Sequence, residues 1–321
     1  MTYSSGGLIE ATDYNGFVST TAGANINDIW ATGSSDKGYG QTAVSTVAAA
    51  GTVSATQWAS LVNTLSSLGS QTNTTITARS APTAGTTIAI LAALNTDLTS
   101  VTTNRNNAVA QGTQYTGWTG TNSKTAATSG ATWTITFTNT VTFADSNSAR
   151  YFFNGGGLIS LLPSKTSTGA TGDPPWNAMA TAAGTIVFSG AAASKTIAAV
   201  AYTGTTKIGG SGINTTLSTA TGYYALTAGA AATIIFKQFS ATAPYTSNFI
   251  QHSVALNAGA NILTFTTLWS ASDGDPITGG TAAVAATPGT APCTICTYKP
   301  PSSTYLTTAS WGTPTVAATT V

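Results

Sequence analysis

The sequence predicts an α+β chain, with a small N-terminal helical region, a mainly antiparallel β-sandwich domain and an irregular C-terminal tail. Three observations predict it. Apolar residues recur at helical spacing up to about residue 112, strict two-residue alternation starts at Thr132, and both patterns decay into Thr, Ala, Gly and Pro after Asp275-Pro276. The division is therefore 1–112 helical, 113–130 linker, 131–275 β and 276–321 tail.

In the first part, Val53-Ser-Ala-Thr-Gln-Trp58 opens a helix, with Ser54 as N-cap and Gln57 three residues on, a capping box. Trp58, Leu61, Val62, Leu65 and Leu68 follow at helical spacing, and Gly69 ends the run. Ile9–Thr20 repeats Val53–Thr64 at an offset of 44 residues. The repeat keeps Ala11/Ala55, Thr12/Thr56, Val18/Val62 and Thr20/Thr64, with Tyr14/Trp58 and Phe17/Leu61 as like-for-like exchanges. Two related helices should thus flank the loop Gly33-Ser-Ser-Asp-Lys-Gly-Tyr-Gly40. A third helix is predicted over Thr87–Ala110, on the stripe Ile88, Leu91, Leu94, Leu98, Val101 and Val109. Arg105 interrupts that stripe; it either snorkels to the surface or pairs with Asp97 or Asp28. Helices this short must bury Tyr14, Phe17, Trp30, Trp58 and Leu61 against one another or against a partner.

In the second part, Trp133, Ile135, Phe137, Val141 and Phe143 occupy odd positions among mostly Thr, which makes a half-buried strand. Asp145 should cap a short helix, Ser146–Asn154, stopped by Gly155-Gly-Gly157. Leu158–Leu162 reads as the next strand. Others are expected at Gly184–Ser189, Ile197–Tyr202, Tyr223–Leu226, Thr233–Phe239, Asn248–Leu256 and Ile262–Ser270.

Composition bounds the chemistry. Only 6% of the 321 residues are charged, ten Lys and Arg against nine Asp and Glu, where soluble domains usually carry about 25%. Thr (66), Ala (54) and Gly (33) make up nearly half the chain, so polarity comes from hydroxyls and amides. Ten scattered cations cannot make the basic footprint that nucleic acid requires. A hydrophobic fraction of 42% argues against charge-driven disorder. Near-zero net charge removes a barrier to self-association, so a homo-oligomer is expected. The start lacks a basic and then apolar leader, and no apolar run approaches membrane-span length, which predicts folding in a cytoplasm without membrane insertion.

The catalytic inventory is thin, and no catalytic, metal or cofactor residue is assigned. His252 is the single histidine and should face away from Phe249 on its strand, solvent-facing or hydrogen-bonded, with no G-x-S-x-G elbow to accompany it. Asp273-Gly-Asp275 has the spacing of a carboxylate pair, yet it precedes Pro276 and reads as a turn before a calcium contact or a glycosidase pair. Cys293-Thr-Ile-Cys296 has C-x-x-C spacing but no second ligand pair for zinc, which leaves an inert pair or inter-chain disulfides. Gly155–Gly157 and Gly209-Gly-Ser-Gly212 match no phosphate loop and read as turns. Trp176, Tyr223, Tyr224, Tyr245 and Trp269 could stack on sugar rings, although in a sandwich such residues more often form core or interface.

Two stretches carry a family resemblance. "ATDYNGFVSTTAGANINDIWATGSSDKGYGQT" with "VSATQWASLVNTL" resembles the start of virion structural proteins of tailed phages of the cyanophage type. "FADSNSARYFFNGGGLI" resembles their β-module signature, with Ala149, Arg150, Tyr151, Phe152, Phe153 and Asn154 at its centre. The resemblance covers roughly residues 8–66 and 131–275. It implies a non-enzymatic fibre or a neck, collar or baseplate component of the virion, a homotrimer anchored to other virion proteins by its N-terminal region. Tyr14, Phe17, Trp30, Trp58 and Leu61 are the anchoring candidates, and residues 120–280 are expected to fold alone. A host-glycan-binding adhesin is the alternative, ahead of a capsid decoration protein, a polysaccharide depolymerase or a surface-layer protein.

Overall fold

A computed structural model describes residues 10–20, 25–83, 93–113, 122–123, 132–165, 173–212, 215–272 and 292–320. Helices come first and antiparallel sheets follow, the α+β order expected.

The N-terminal helices are α1 (Ala11–Asn15), which passes into a π-helical turn (Gly16–Thr20), α2 (Ile26–Trp30), α3 (Ala55–Gln71) and α4 (Leu94–Thr103). The capping box of α3 forms as read: Gln57 N–H donates to Ser54 Oγ at 3.3 Å, and Ser54 N–H to Gln57 Oε1 at 2.8 Å. The 44-residue repeat is physical. Glu10 and Asp13 take the places of Ser54 and Gln57, with Glu10 N–H donating to Asp13, and the equivalent residues Tyr14 and Trp58 pack edge to face at 5.1 Å. The copies diverge at Gly16, where α1 loosens into its π turn while α3 runs on through Gly69. Of the third predicted helix, residues 87–92 lie outside the described residues, and α4 stops at Thr103 rather than Ala110. Thr99, Ser100, Thr102 and Thr103 each donate to the carbonyl four residues back, a habit that weakens helices.

Side-chain amides bind the extended segment after α2. Asn15 makes a two-bond pair with Val47, and Asn27 another with Val44, at 2.8–2.9 Å. Gln41 does the same with Thr308, at 2.8 and 2.9 Å. Each amide supplies one donor and one acceptor, as a neighbouring strand would, so strand-like pairing is achieved without charge.

The sheets use β1 (Asn122–Ser123), β2 (Trp133–Thr142), β3 (Leu158–Lys165), β4 (Thr185–Phe188), β5 (Lys195–Ile197), β6 (Val200–Tyr202), β7 (Thr205–Ile208), β8 (Thr215–Leu217), β9 (Thr233–Phe239), β10 (Phe249–Leu256), β11 (Ile262–Ala271), β12 (Pro292–Lys299) and β13 (Thr315–Thr320). One sheet runs β1-β12-β3-β4-β7, the other β13-β2-β11-β10-β9-β8, and β5-β6 is a separate hairpin. Every strand-to-strand ladder is antiparallel. Helix α5 (Ser146–Asn154) follows β2, and α6 (Asp173–Ala183) packs on β3, β9 and β10.

Four readings are corrected. The predicted strand Ile197–Tyr202 is a hairpin whose turn residues Ala198 and Ala199 both have positive φ. Tyr223–Leu226 is a 3₁₀ turn, Tyr223–Ala225, not a strand. α6 was not anticipated; its two prolines fall in the first helical turn, where proline is tolerated. The segment after residue 275, expected to be irregular, supplies β12, inserted between β1 and β3, and β13, paired with β2.

The two sheets share one core, with Phe188 of β4 meeting Phe265 of β11 edge to face at 5.3 Å. That core runs unbroken into the helices. A single buried cluster contains Tyr14, Phe17, Trp58 and Leu61 together with Phe143, Phe152, Phe188, Phe265 and Tyr298. One buried cluster thus spans both parts, so the 120–280 segment shares its interior with the N-terminal helices. Removing β12 would detach β1 and leave β3 as an open edge.

Candidate functional site

Helix α5 carries the most specialised local structure. Asp145 accepts from Ser148 N–H at 2.6 Å, a cap that satisfies an orphan donor of the first turn. The backbone and side-chain bonds from Ser148 hold its carboxyl below the usual aspartate range. The helix then divides its faces. Ala149, Tyr151, Phe152 and Phe153 are buried, and the Phe153 ring stacks on Tyr223 at 4.8 Å. Arg150 and Asn154, four residues apart and so on one face, point to the loop 33–40.

That loop is held by its backbone. Arg150 Nη1 donates to the Ser35 carbonyl at 2.9 Å, and Nη2 to the Thr32 carbonyl and Asn147 Oδ1 at 2.8 Å each. Asn154 Nδ2 donates to the Gly38 carbonyl at 2.9 Å, while its Oδ1 accepts from the Tyr224 hydroxyl at 2.6 Å. Ion pairs Lys37–Asp28 (2.5 Å) and Arg105–Asp36 (2.6 Å) close the loop from its other side. Lys37 and Ser34 hold the Asp28 carboxyl below its ordinary range against the opposing effect of its burial. Gly38 has φ +96°, and a Cβ there would stand 2.1 Å from the Thr32 carbonyl oxygen, so only glycine fits. Gly156, after α5, has φ +98° and would meet the Ala108 Cβ at 2.5 Å.

The two stretches that carry the resemblance thus clasp each other across more than 110 residues of chain. Beside the clasp lies an open depression of about 280 Å³, lined in part by Ser35, Ser146, Asn147, Arg150, Tyr224 and Leu226.

Other expected residues fall as follows. Tyr14, Phe17, Trp30, Trp58 and Leu61 are all buried in the chain's own core. The alternative that they pack on one another is what the structure displays, and their side chains offer no surface to a partner. Arg105 pairs with Asp36 rather than Asp97 or Asp28, because α4 ends before it; Asp97 takes Arg79 at 2.5 Å and Asp28 takes Lys37.

His252 does face away from Phe249, but into the interior. It is fully buried, stacked on Phe236 at 5.5 Å, with Nδ1 bonded to the Thr267 hydroxyl at 2.9 Å. Burial pushes its pKa down to about 3. Cys293 and Cys296 lie on β12, where an odd separation places them on opposite faces, about 10 Å apart along the strand. They are buried, neither is in a disulfide, and that separation excludes both a bridge between them and a shared metal. Burial raises the Cys296 thiol well above its usual range. Tyr223 is buried in the main cluster, and Trp176, Tyr245 and Trp269 in a smaller one with Ile135, Phe137 and Ile250; of the sugar-stacking candidates, Tyr224 alone keeps partial exposure. Asp273 and Asp275 lie outside the described residues.

Among the described residues no cluster of three or more His, Cys, Asp or Glu could hold a metal, and no helix is long and apolar enough to cross a membrane. Sequence reasoning missed Thr32, Asp36, Tyr39 and Tyr224 as clasp partners. Their contacts join residues 66 to 118 positions apart, and no local pattern marks them. Comparison with family models, with curated proteins and with solved structures gives no match.

Proposed function

We propose that this chain is a non-enzymatic structural protein of a tailed-phage virion, a fibre or a neck, collar or baseplate component, working as a homo-oligomer. The resemblance of the two clasped segments supports the reading. The observation that carries it is the use of charge. Lys37, Arg79 and Arg105 are consumed in ion pairs within the chain. Arg150, Lys195 and Lys207 donate to its own backbone carbonyls, and Lys237 sits 3.6 Å from the Phe249 ring centroid. What remains outside is mostly Thr, Ser, Ala and Gly. Such a surface packs against copies of itself without the repulsion that keeps charged proteins apart.

Attachment to the particle is assigned to the exposed surface of the N-terminal region, since its large apolar side chains serve the interior. Light scattering behind a sizing column tests the oligomer. A trimer of the 32.0 kDa chain is expected, and a monomer at micromolar concentration overturns the reading. Antibody labelling of purified particles tests the location; unlabelled virions reject it.

A further inference from the structure

The depression beside the clasp has features of a built binding site that the assembly reading does not use. Its lining combines polar residues, Ser35, Ser146, Asn147 and Arg150, with apolar or aromatic ones, Leu226, Leu256 and Tyr224. Several of them are fixed before any ligand arrives. Ser35 sits at φ +53°, a conformation that costs a non-glycine residue about 1 kcal/mol, and it is kept there by the Arg150 bond to its carbonyl. Tyr224 is fixed through its hydroxyl to Asn154, and Tyr223 through its hydroxyl to the Ala260 carbonyl at 2.7 Å. Strain that the surroundings maintain, beside two tyrosines held by their hydroxyls, is an arrangement expected where a ligand is received.

The chemistry of the lining selects the ligand. Three guanidinium N–H bonds of Arg150 already go to Thr32, Ser35 and Asn147, so no two-pronged fork is left for a carboxylate or phosphate. The remaining polar partners are hydroxyl and amide groups, lined up with apolar and aromatic side chains in one depression, a combination complementary to a molecule that carries both hydroxyls and C–H faces. A volume of about 280 Å³ corresponds to roughly nine waters at ~30 Å³ each, room for one sugar ring.

We propose that this depression binds a single uncharged pyranose unit of a polysaccharide. The inference is independent of the assembly reading, because a virion component and a free monomer would both carry the site. Saturation-transfer NMR on the full chain, with glucose, galactose, mannose, N-acetylglucosamine and glucuronate, tests it. At least one neutral sugar should give saturable transfer in the millimolar range, stronger than glucuronate. Ala228→Trp and Ser146→Trp enlarge two exposed lining positions on different segments of the chain, and each should weaken that binding tenfold or more with the melting temperature unchanged. The proposal is overturned by an absence of saturable transfer, by preference for glucuronate, or by equal binding in both stably folded Trp variants.

Discussion

The single histidine makes acid stability a clean test of the interior. His252 is fully buried between Phe236 and Thr267, and its pKa of about 3 is set by burial. In the unfolded chain it titrates near 6.5. Between those values the unfolded state binds a proton that the folded state refuses, so stability is complete above about pH 6.5 and falls as pH drops. Linkage with these two pKa values gives a loss of about 2.5 kcal/mol between pH 7 and pH 4.5. Asp28 and Asp145 have lowered values and contribute their losses only below the ordinary carboxylate range, under this window. With a urea slope of about 3 kcal/mol/M, the unfolding midpoint should fall by about 0.8 M. Equilibrium urea curves at half-unit pH steps, for the native chain and for His252→Gln, make the measurement. The variant should be flat across the window. A flat native curve, or an unchanged slope in the variant, would show that His252 is not held neutral in the core.

Lys195 is buried on the Ala191 carbonyl, and burial lowers its pKa to about 8. Its contribution is complete above pH 10.5 and lost as pH falls to 8, so native stability should rise over that interval, and Lys195→Met should abolish the rise in urea curves. Ala198 and Ala199 form a hairpin turn with φ +47° and +65°. Replacing them with Asn-Gly, the pair such a turn prefers, should stabilise by about 1–2 kcal/mol, read as a higher melting temperature. Asn154→Ala strands the Gly38 carbonyl and leaves the Tyr224 hydroxyl only its longer bond to the Arg150 carbonyl at 3.3 Å, and should cost about 1–3 kcal/mol with faster amide exchange over residues 33–40. A chain ending at residue 291 lacks β12 and β13; loss of cooperative unfolding is expected, and a native-like melting transition would contradict the inserted position of β12.

Local chemistry alone determined a good part of this protein. The Ser54 box, the Asp145 cap, the alternation in β2 and the 44-residue repeat were legible because each depends on residues within a few positions of one another. The neutral, hydroxyl-rich exterior follows directly from composition. Tertiary structure decided the rest. Cys293–Lys299 has no clear apolar period, because polar Thr294 falls on the buried face with Cys296 and Tyr298 while apolar Ile295 falls on the half-exposed one; only its place between β1 and β3 reveals it. Trp58 and Leu61 present the same helical stripe whether they meet a partner or their own sheets. Their place in one buried cluster with Tyr14, and Trp58's edge-to-face contact with that ring, turns the stripe to the chain's own interior. Arg150 and Asn154 look like any polar pair on a helix until the fold brings the loop 33–40 beneath them. Contacts of that range leave no periodic trace in a sequence, since what fixes them is the path of the chain between the two partners and not the residues beside either one.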